Sequence, residues 1–391
     1  MSSIHCLYLA FKNDYFISNT LLLKYTAMGI DGFNKAVKDL VPSAYGRISA
    51  SELRGKRIAI DTLGFAHRLL CAGHKIAVNN TDVLVEPIKY EIRQEFYIDC
   101  MLKLLKKLLT QGITPVFVLE GTAPPDKVEH AHVRRRKQRE SIRKRLADFE
   151  DKLKHMHVSD HTPELDREYK KLLCQDVRPR QEEFVALEEI LRASGIPCIK
   201  AVGEAEKLCV ALAIDGYVEA VYTKDTDVLP LGCQLMLTDH EETPRGLEFT
   251  CTRLAPILGG LDLSFEQFVD LCIMTQCDFN TRIRGYAFKK SYKLIKQYDS
   301  IDDLPDKFDV TPLNHIRCRE IFKITDSDSE RTEDLCIDIN SDALKTARDT
   351  LRMYGVDYLV DQLLELYKNI PTPSSRGYTV PPNSQNVTFV I

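Results

Sequence analysis

Three short apolar, β-branched runs in this chain each end in a carboxylate. KRIAID closes at Asp61, TPVFVLE at Glu120, and VEAVYTKDTD at Asp225 and Asp227. In an open parallel sheet the binding crevice lies beyond the carboxyl ends of the strands. Three acid-ended strands lying side by side would therefore gather those acids on one rim, so the pattern constrains fold and site together. Asp225 and Asp227, spaced i, i+2 in extended chain, project to one side. Glu204 and Glu206 share that spacing at a helix start, where a regular helix would separate them by about 200°. Both reach one site only if Glu204 lies at or before the first turn, an entry that Gly203 permits. Asp278 follows an apolar helical run and falls in a loop. A lone Asp after a strand is more often a helix cap or turn former; the repeated placement is what points to function.

The segments between these runs alternate helix and strand. Residues 56–61 and 114–120 read as buried strands. Between them, residues 96–109 carry apolar side chains at helical spacing (Phe96, Cys100, Leu104, Leu105, Leu108), stopped by Gln111-Gly112. That is a β-α-β unit with the crossover of a parallel sheet. A helix over 182–194 ending at Gly195, a strand over 196–201, a helix over 204–214 and strands over 218–223 and 235–238 continue the rhythm. Residues 265–275 and 289–298 are predicted helices. The expected fold class is α/β, a largely parallel mixed sheet flanked by helices. Residues 122–180 break the rhythm: Pro124-Pro125 opens a charged, helix-prone stretch of little apolar content, and Pro179 closes it. Such a stretch is expected to project from the core or be mobile. Residues 326–333 read as an acidic loop, and the Pro/Ser-rich tail from Pro371 is expected to be disordered.

Composition narrows the partners. The hydrophobic content of 44% supports a sizeable core. No run approaches the ~18 apolar residues of a membrane helix. Lys12, Asp14 and Lys24 interrupt the apolar patches of the first 27 residues, and no basic start precedes them, so no signal peptide is expected. The 12 cysteines include no C-x-x-C pair, which excludes zinc-ribbon spacing and reads as free thiols in a reducing compartment. The net charge of −4 argues against a polyanion partner, but residues 127–145 hold nine Lys/Arg against two Glu, a local +7 that leaves −11 elsewhere. A locally basic chain can bind phosphate at one face. Seven clustered acids need a counter-charge, and all-oxygen ligands favour Mg2+ or Mn2+ over zinc. Two such ions roughly 4 Å apart stabilise both the attacking and the leaving oxygen at a phosphodiester.

Seven motifs then occur in order over about residues 28–305: Met28-Gly29-Ile30 with Asp31-Gly32-Phe33, KRIAID, VFVLEG, GEAEK, TKDTD, FVDLCIMTQCDF and IRGYAFKKS. Together they resemble flap endonucleases and their XPG relatives. The matching family patterns are the MGI-x-G-[LF] opening, the first catalytic strand, V-F-D-G, S-E-A-E-A, T-E-D-x-D, F-[VI]-D-[LM]-C-[IL]-L-x-G-x-D-Y and the I-x-G-I-G-P-K-x-A hairpin. The resemblance implies a PIN-like 5′-nuclease fold with a helical arch and a helix-two-turn-helix element. It implies a structure-specific endonuclease for 5′-flap or branched DNA, with 5′→3′ exonuclease activity and roles in DNA repair or replication. Asp61, Glu120, Glu204, Glu206, Asp225, Asp227 and Asp278 match the acids that hold two Mg2+ ions, for which Mn2+ can substitute. Lys127 and Arg134 match the arch residues that meet the scissile phosphate. On a regular helix their i, i+7 spacing puts them on one face, about 10.5 Å apart; the bland reading of the basic run beyond them is a solvated helix. Gly29, His67, Gly285, Lys289 and Lys290 match DNA-contacting positions.

The departures from the pattern are Glu120 for Asp, Ala287 and Phe288 for the second Gly and the Pro of the hairpin, and His67 where many members carry a stacking Tyr. Loss of that Gly puts the hairpin's duplex grip in doubt, with Lys289, Lys290, Lys293 and Lys296 as electrostatic compensation. The domain layout expected is 1–27 as an N-terminal extension that either routes around the site or, the favoured reading, is not translated because the start is Met28; 28–121 and 181–262 as the nuclease domain; 122–180 as the basic arch; 263–310 as the helix-two-turn-helix region; and 311–391 as a C-terminal region. Residues 385–391 lack the paired aromatics of a sliding-clamp motif, so no clamp binding is expected. The expected state is a monomer inside the cell, in a nucleus or at a viral replication site, without membrane contact. The rival readings are a PIN-like ribonuclease and a catalytically silent DNA-binding scaffold.

Overall fold

The computed structural model describes residues 29–325, 335 and 341–353. The extension 1–27 with Met28, the acidic loop 326–333, and the tail with its clamp-motif region lie outside the described residues. Seven strands, Tyr45–Ser49 (β1), Arg57–Asp61 (β2), Thr114–Leu119 (β3), Cys198–Lys200 (β4), Ala220–Tyr222 (β5), Leu235–Thr243 (β6) and Gly246–Arg253 (β7), form one sheet in the order β1-β7-β6-β5-β2-β3-β4. The five from β4 to β6 are parallel, while β7 runs antiparallel to both β6 and β1. The sheet is thus largely parallel and mixed. The chain builds outward from β2 to β3 and β4 on one side, then returns to lay β5 and β6 on the other. The direction of winding reverses between β2 and β5, and such a switch point is where the carboxyl ends of strands open a crevice.

Alternation along β2 shows why the sheet is covered twice. Ile58 and Ile60 face one apolar core, with Phe117, Tyr222 and Leu237, under helices Thr62–Asn79, Tyr90–Thr110 and Gln181–Ala193. Ala59 faces the other, with Val116, Val118, Val221 and Met236, under helices Ala205–Ile214 and Phe265–Thr275. A strand buried on both faces reads as a continuous apolar run, which is why it is visible in the sequence. The antiparallel strands β1, at the edge, and β7 beside it escape sequence reading because they are partly exposed and short on apolar signal. Several expected bounds shift: the helix read over 96–109 spans Tyr90–Thr110, the strand over 196–201 shrinks to Cys198–Lys200, and the strand over 235–238 extends to Thr243.

The stretch 122–180 differs from its sequence reading in one respect. It rises as a short helix Pro125–Lys127, a π-helical turn Val128–His132 and the long helix Val133–Lys154, then returns through helix Pro163–Leu173. Its few apolar side chains meet each other: Leu146, Phe149, Leu165 and Leu172 form a satellite core, and the rings of Phe149 and Tyr169 stack at 5.5 Å. The returning end docks on the main body, where His74 Nε2 lies 3.1 Å from the Leu173 carbonyl oxygen. The segment is therefore a packed helical pair tied down at its return, not a bare projection.

The two helices Phe265–Thr275 and Phe288–Tyr298 form a hairpin beside helix Phe33–Leu40. All ten described cysteines are free. No described helix is long and apolar enough to cross a membrane.

Candidate metal centre

Each strand-end acid is fixed by a local contact of its own. Asp61 caps helix Thr62–Asn79, accepting from Gly64 N–H at 3.2 Å, while its other oxygen accepts from the Thr223 hydroxyl at 2.9 Å. Asp61 thus caps a helix and faces the acid loop at once. Thr223 in turn accepts from Asp225 N–H at 3.1 Å, and Asp225 Oδ1 accepts from Asp227 N–H at 3.0 Å. Glu120 accepts from Ala205 N–H at 3.2 Å, placing its carboxylate at the start of helix Ala205–Ile214, where the helix dipole favours negative charge. The loops after β3 and β4 are zipped together: Gly121 N–H donates to Gly203 O at 2.9 Å and Thr122 N–H to Val202 O at 3.1 Å. A Cβ at Gly121 would stand 2.3 Å from Ala201 O, so only glycine allows this approach. Glu204 is the N-cap with extended backbone (φ −78°, ψ 139°), and Glu206 lies in the first turn. This is the irregular entry that lets an i, i+2 pair converge. Asp278 sits in a loop held by buried Asn280, whose amide donates to the carbonyls of Ile273 and Leu313, both at 2.9 Å, and accepts from Cys277 N–H.

The acids form one electrostatic cluster. One carboxylate oxygen from each of Glu120, Glu204 and Glu206 lies within 4.8 Å of the others. Burial and the charge of Glu206 push Asp61 up to about 6 and Glu120 up to about 8. Burial, with Glu206 and Asp278 close by, holds Asp225 well above the usual carboxylate range; Asp227 is raised by burial, Asp225 and Asp278. Lys127 reaches in from the arch base, paired with Glu204 and 3.8 Å from Glu206. Burial disfavours its charge, but Glu206, Glu204 and Asp225 outweigh burial and raise its pKa well above the ordinary lysine value. Arg134 and Arg135 hold the two oxygens of Asp278 at 3.1 and 2.6 Å. Asp227 Oδ1 is buried without a hydrogen-bond partner. A set of hard carboxylate oxygens, their pKa values raised by burial and then by one another's charge, and one of them orphaned, suits Mg2+, Mn2+ or Ca2+ and not a soft thiophilic ion.

The expected DNA-contact residues separate into three places. Gly29 (φ +80°) lies under the acid loop, where an added Cβ would stand 2.4 Å from Asp225 Oδ1. The adjacent Ile30 N–H donates to the Thr226 hydroxyl at 2.9 Å. His67 is half-buried 3.8 Å from Cys71 Sγ, and its pKa is lowered by burial and then by Arg135 and Arg139 of the arch. Gly285 (φ +85°), Lys289 and Lys290 line a separate open groove with Asp31, Lys35 and Arg282. There Lys289 lies 3.7 Å from Asp39, and Lys290 stands over the Tyr286 ring at 5.5 Å. Thr223, Thr226, Asn280 and Arg135 are the site residues that sequence reading passed over. The first three are common polar residues whose partners lie far off in the chain, and Arg135 looks like one cation among nine.

Models of the XPG N-terminal domain and the XPG I-region match residues 28–142 and 195–278. Flap endonuclease 1 of Drosophila grimshawi is 30% identical over 318 residues, covering 79% of this chain and 76% of that protein. The chain belongs to the XPG/flap-endonuclease family. Flap endonuclease 1 of Cryptosporidium parvum (strain Iowa II) is 31% identical over 316 residues, which is 76% of this chain and 61% of that relative's length. Among solved structures, the catalytic core of Rad2 in complex with DNA substrate shares the fold, with TM-score 0.57 at 16% identity, covering 88% of this chain and all of that one.

Set against the XPG/flap-endonuclease pattern, the hairpin departures have structural reasons. Phe288, in place of Pro, is buried and meets the Phe33 ring edge-on at 5.9 Å, so it anchors the hairpin to helix Phe33–Leu40. Ala287, in place of Gly, is an N-cap with φ −95°, a conformation open to any residue. A further departure lies beside Asp278: the family pattern's glycine is Gln276 here, held at φ +92° as the C-cap of helix Phe265–Thr275.

Proposed function

We propose that this chain is a structure-specific DNA endonuclease, acting on 5′ flaps or related branched DNA and 5′→3′ on ends, with two Mg2+ ions or Mn2+ in their place. The observation that carries the reading is the meeting of carboxylates from three strand ends, a helix start and the hairpin loop at the sheet's switch point, faced by arch cations. Asp61, Glu120, Glu204, Glu206, Asp225, Asp227 and Asp278 would hold the ions. When bound there, such ions supply Lewis-acid stabilisation and water activation at a phosphodiester.

The chain's own groups set the stage for that chemistry. Thr223 and Gly64 orient Asp61, and the start of helix Ala205–Ile214 orients Glu120. Lys127 keeps its charge across the neutral range and, with Arg134, offers fixed positive charge where a phosphate between arch and acids gains negative charge. Lys289, Lys290 and Gly285 offer a duplex backbone a second, metal-independent contact. The DNA held by the Rad2 catalytic core supports a polynucleotide substrate for this fold.

The test is cleavage of labelled 5′-flap, bubble, four-way-junction and nicked DNA, and of a matched RNA flap, with and without Mg2+. Asp225→Asn is expected to lower the single-turnover rate on the flap by about 10²–10³-fold, the scale on which one lost transition-state contact registers. Unchanged cleavage by that variant, or preferential cutting of the RNA flap, sinks the reading.

A further inference from the structure

The arch carries a third cation at the acid cluster that the regular-helix expectation assigns to solvent. Neighbouring residues on an α-helix diverge by about 100°, yet Arg134 and Arg135 both reach one buried carboxylate, at 3.1 and 2.6 Å from the two oxygens of Asp278. The helix must therefore start directly over Asp278. The π-helical turn Val128–His132 explains the register. A π turn closes i→i+5 bonds and takes about 4.4 residues, so one π turn followed by one α turn spans about eight residues. The residue returned to the face of Lys127 is then Arg135, not Arg134 one position earlier. Single π turns inside helices recur at functional sites because they re-aim a side chain in this way. The next arginine, Arg136, pairs with Glu140 at 3.0 Å on the solvent side and serves as an internal contrast.

Resting on the nuclease reading above, we propose that Arg135 is a substrate-contact residue of the reaction site: it is parked on Asp278 in the free protein and passes to a backbone phosphate when Asp278 turns to a cation. The guanidinium suits both partners, since its fork matches carboxylate and phosphate alike. Asp278, with each oxygen taken by an arch arginine, cannot serve both arginines and a cation fully. Cation binding and release of the arch arginines are thereby linked.

Two measurements test this on the full chain. Flap-DNA affinity in Ca2+ as a function of salt should show Arg135→Gln lowering the slope by about 0.9 for a duplex phosphate or about 0.7 for a single-strand one. Arg136→Gln should keep the wild-type slope, and Arg135→Lys should restore it. Without DNA, Arg135→Gln should bind Ca2+ more tightly, by about fivefold or more, the lower end of ordinary coupling. If Arg135→Gln matches Arg136→Gln in salt slope, the phosphate contact is refuted; if its Ca2+ affinity equals wild type, the parking on Asp278 is. A wild-type chain that binds no flap DNA at all overturns the nuclease reading as well, which separates the two failures.

Discussion

At the scale of single residues, two backbone positions beside the acids pull in opposite directions. Gly29 at φ +80° leaves no room for a Cβ, which would stand 2.4 Å from Asp225 Oδ1 and 2.7 Å from Thr226 N. Gly29→Ala should destabilise the protein by about 1–3 kcal/mol and weaken cation binding, read by urea unfolding and calorimetry. Gln276 has φ +92°, a conformation that costs an L-residue and suits glycine. Gln276→Gly should therefore raise stability by about 1 kcal/mol, and a loss on the same urea titration would contradict the strain argument. The acids also predict a pH dependence. Glu120 rises from 4.5 to about 8 and Asp61 from 3.8 to about 6, burial first and like charge second. The folded state therefore binds these protons more tightly than the unfolded one, so the contribution of these two acids to cation-free stability is full below about pH 4 and is lost as pH rises through about 8. Saturating Mg2+ should flatten that fall, and Mg2+ binding should release protons, seen as a buffer-dependent calorimetric enthalpy. A Glu120→Gln variant whose stability relative to wild type does not rise between about pH 4 and 8 would refute the assignment.

At the scale of elements, the hairpin and the arch depend on anchors far from the acids. Phe288 links the hairpin to helix Phe33–Leu40 through ring contact with Phe33. Phe288→Ala should cost about 3–5 kcal/mol and weaken DNA binding more than Ca2+ binding, because all the acids except Asp278 sit on other elements. The chain leaving the arch is fixed by a buried pair: Arg93 Nε donates to Glu183 Oε1 at 2.7 Å, Glu183 also accepts from Arg180 N–H at 2.8 Å, and Arg93 Nη2 lies 3.5 Å from Arg178 O. The guanidinium groups of Arg93 and Arg180 both lie over the Tyr90 ring, 4.8 and 5.0 Å from its centroid. Removing one partner of a buried pair strands the other charge, so Glu183→Gln should cost about 3–5 kcal/mol and loosen helix Pro163–Leu173, readable as faster amide exchange there. Uniform exchange across the molecule in that variant would deny the anchor its local role.

At the scale of the whole molecule, the acid cluster sits on the rim of a sheet whose two apolar cores do not use it. Chelation should therefore leave the fold intact, with an unchanged far-UV circular dichroism spectrum. Mg2+ at a hundred times its Kd should add about 2.7 kcal/mol by mass action, measured as a rise in Tm. Collapse of secondary structure on chelation would mean that the metal is structural. The central strands, their acid ends and the hairpin helices were legible in the chain because doubly buried strands and amphipathic helices write their periodicity into the residues themselves. The seven carboxylates were legible as residues at element boundaries: Asp61, Glu120, Asp225 and Asp227 close strand runs, Glu204 and Glu206 open a helix, and Asp278 follows one. What only the tertiary structure decided is how those ends meet. The partners of Thr223, Asn280 and Gly29, the antiparallel edge, the satellite core of the arch and the π turn that puts Arg135 over Asp278 all rest on contacts between segments far apart in the chain. Local periodicity carries no record of such contacts, because through-space distance, not chain order, sets their energy.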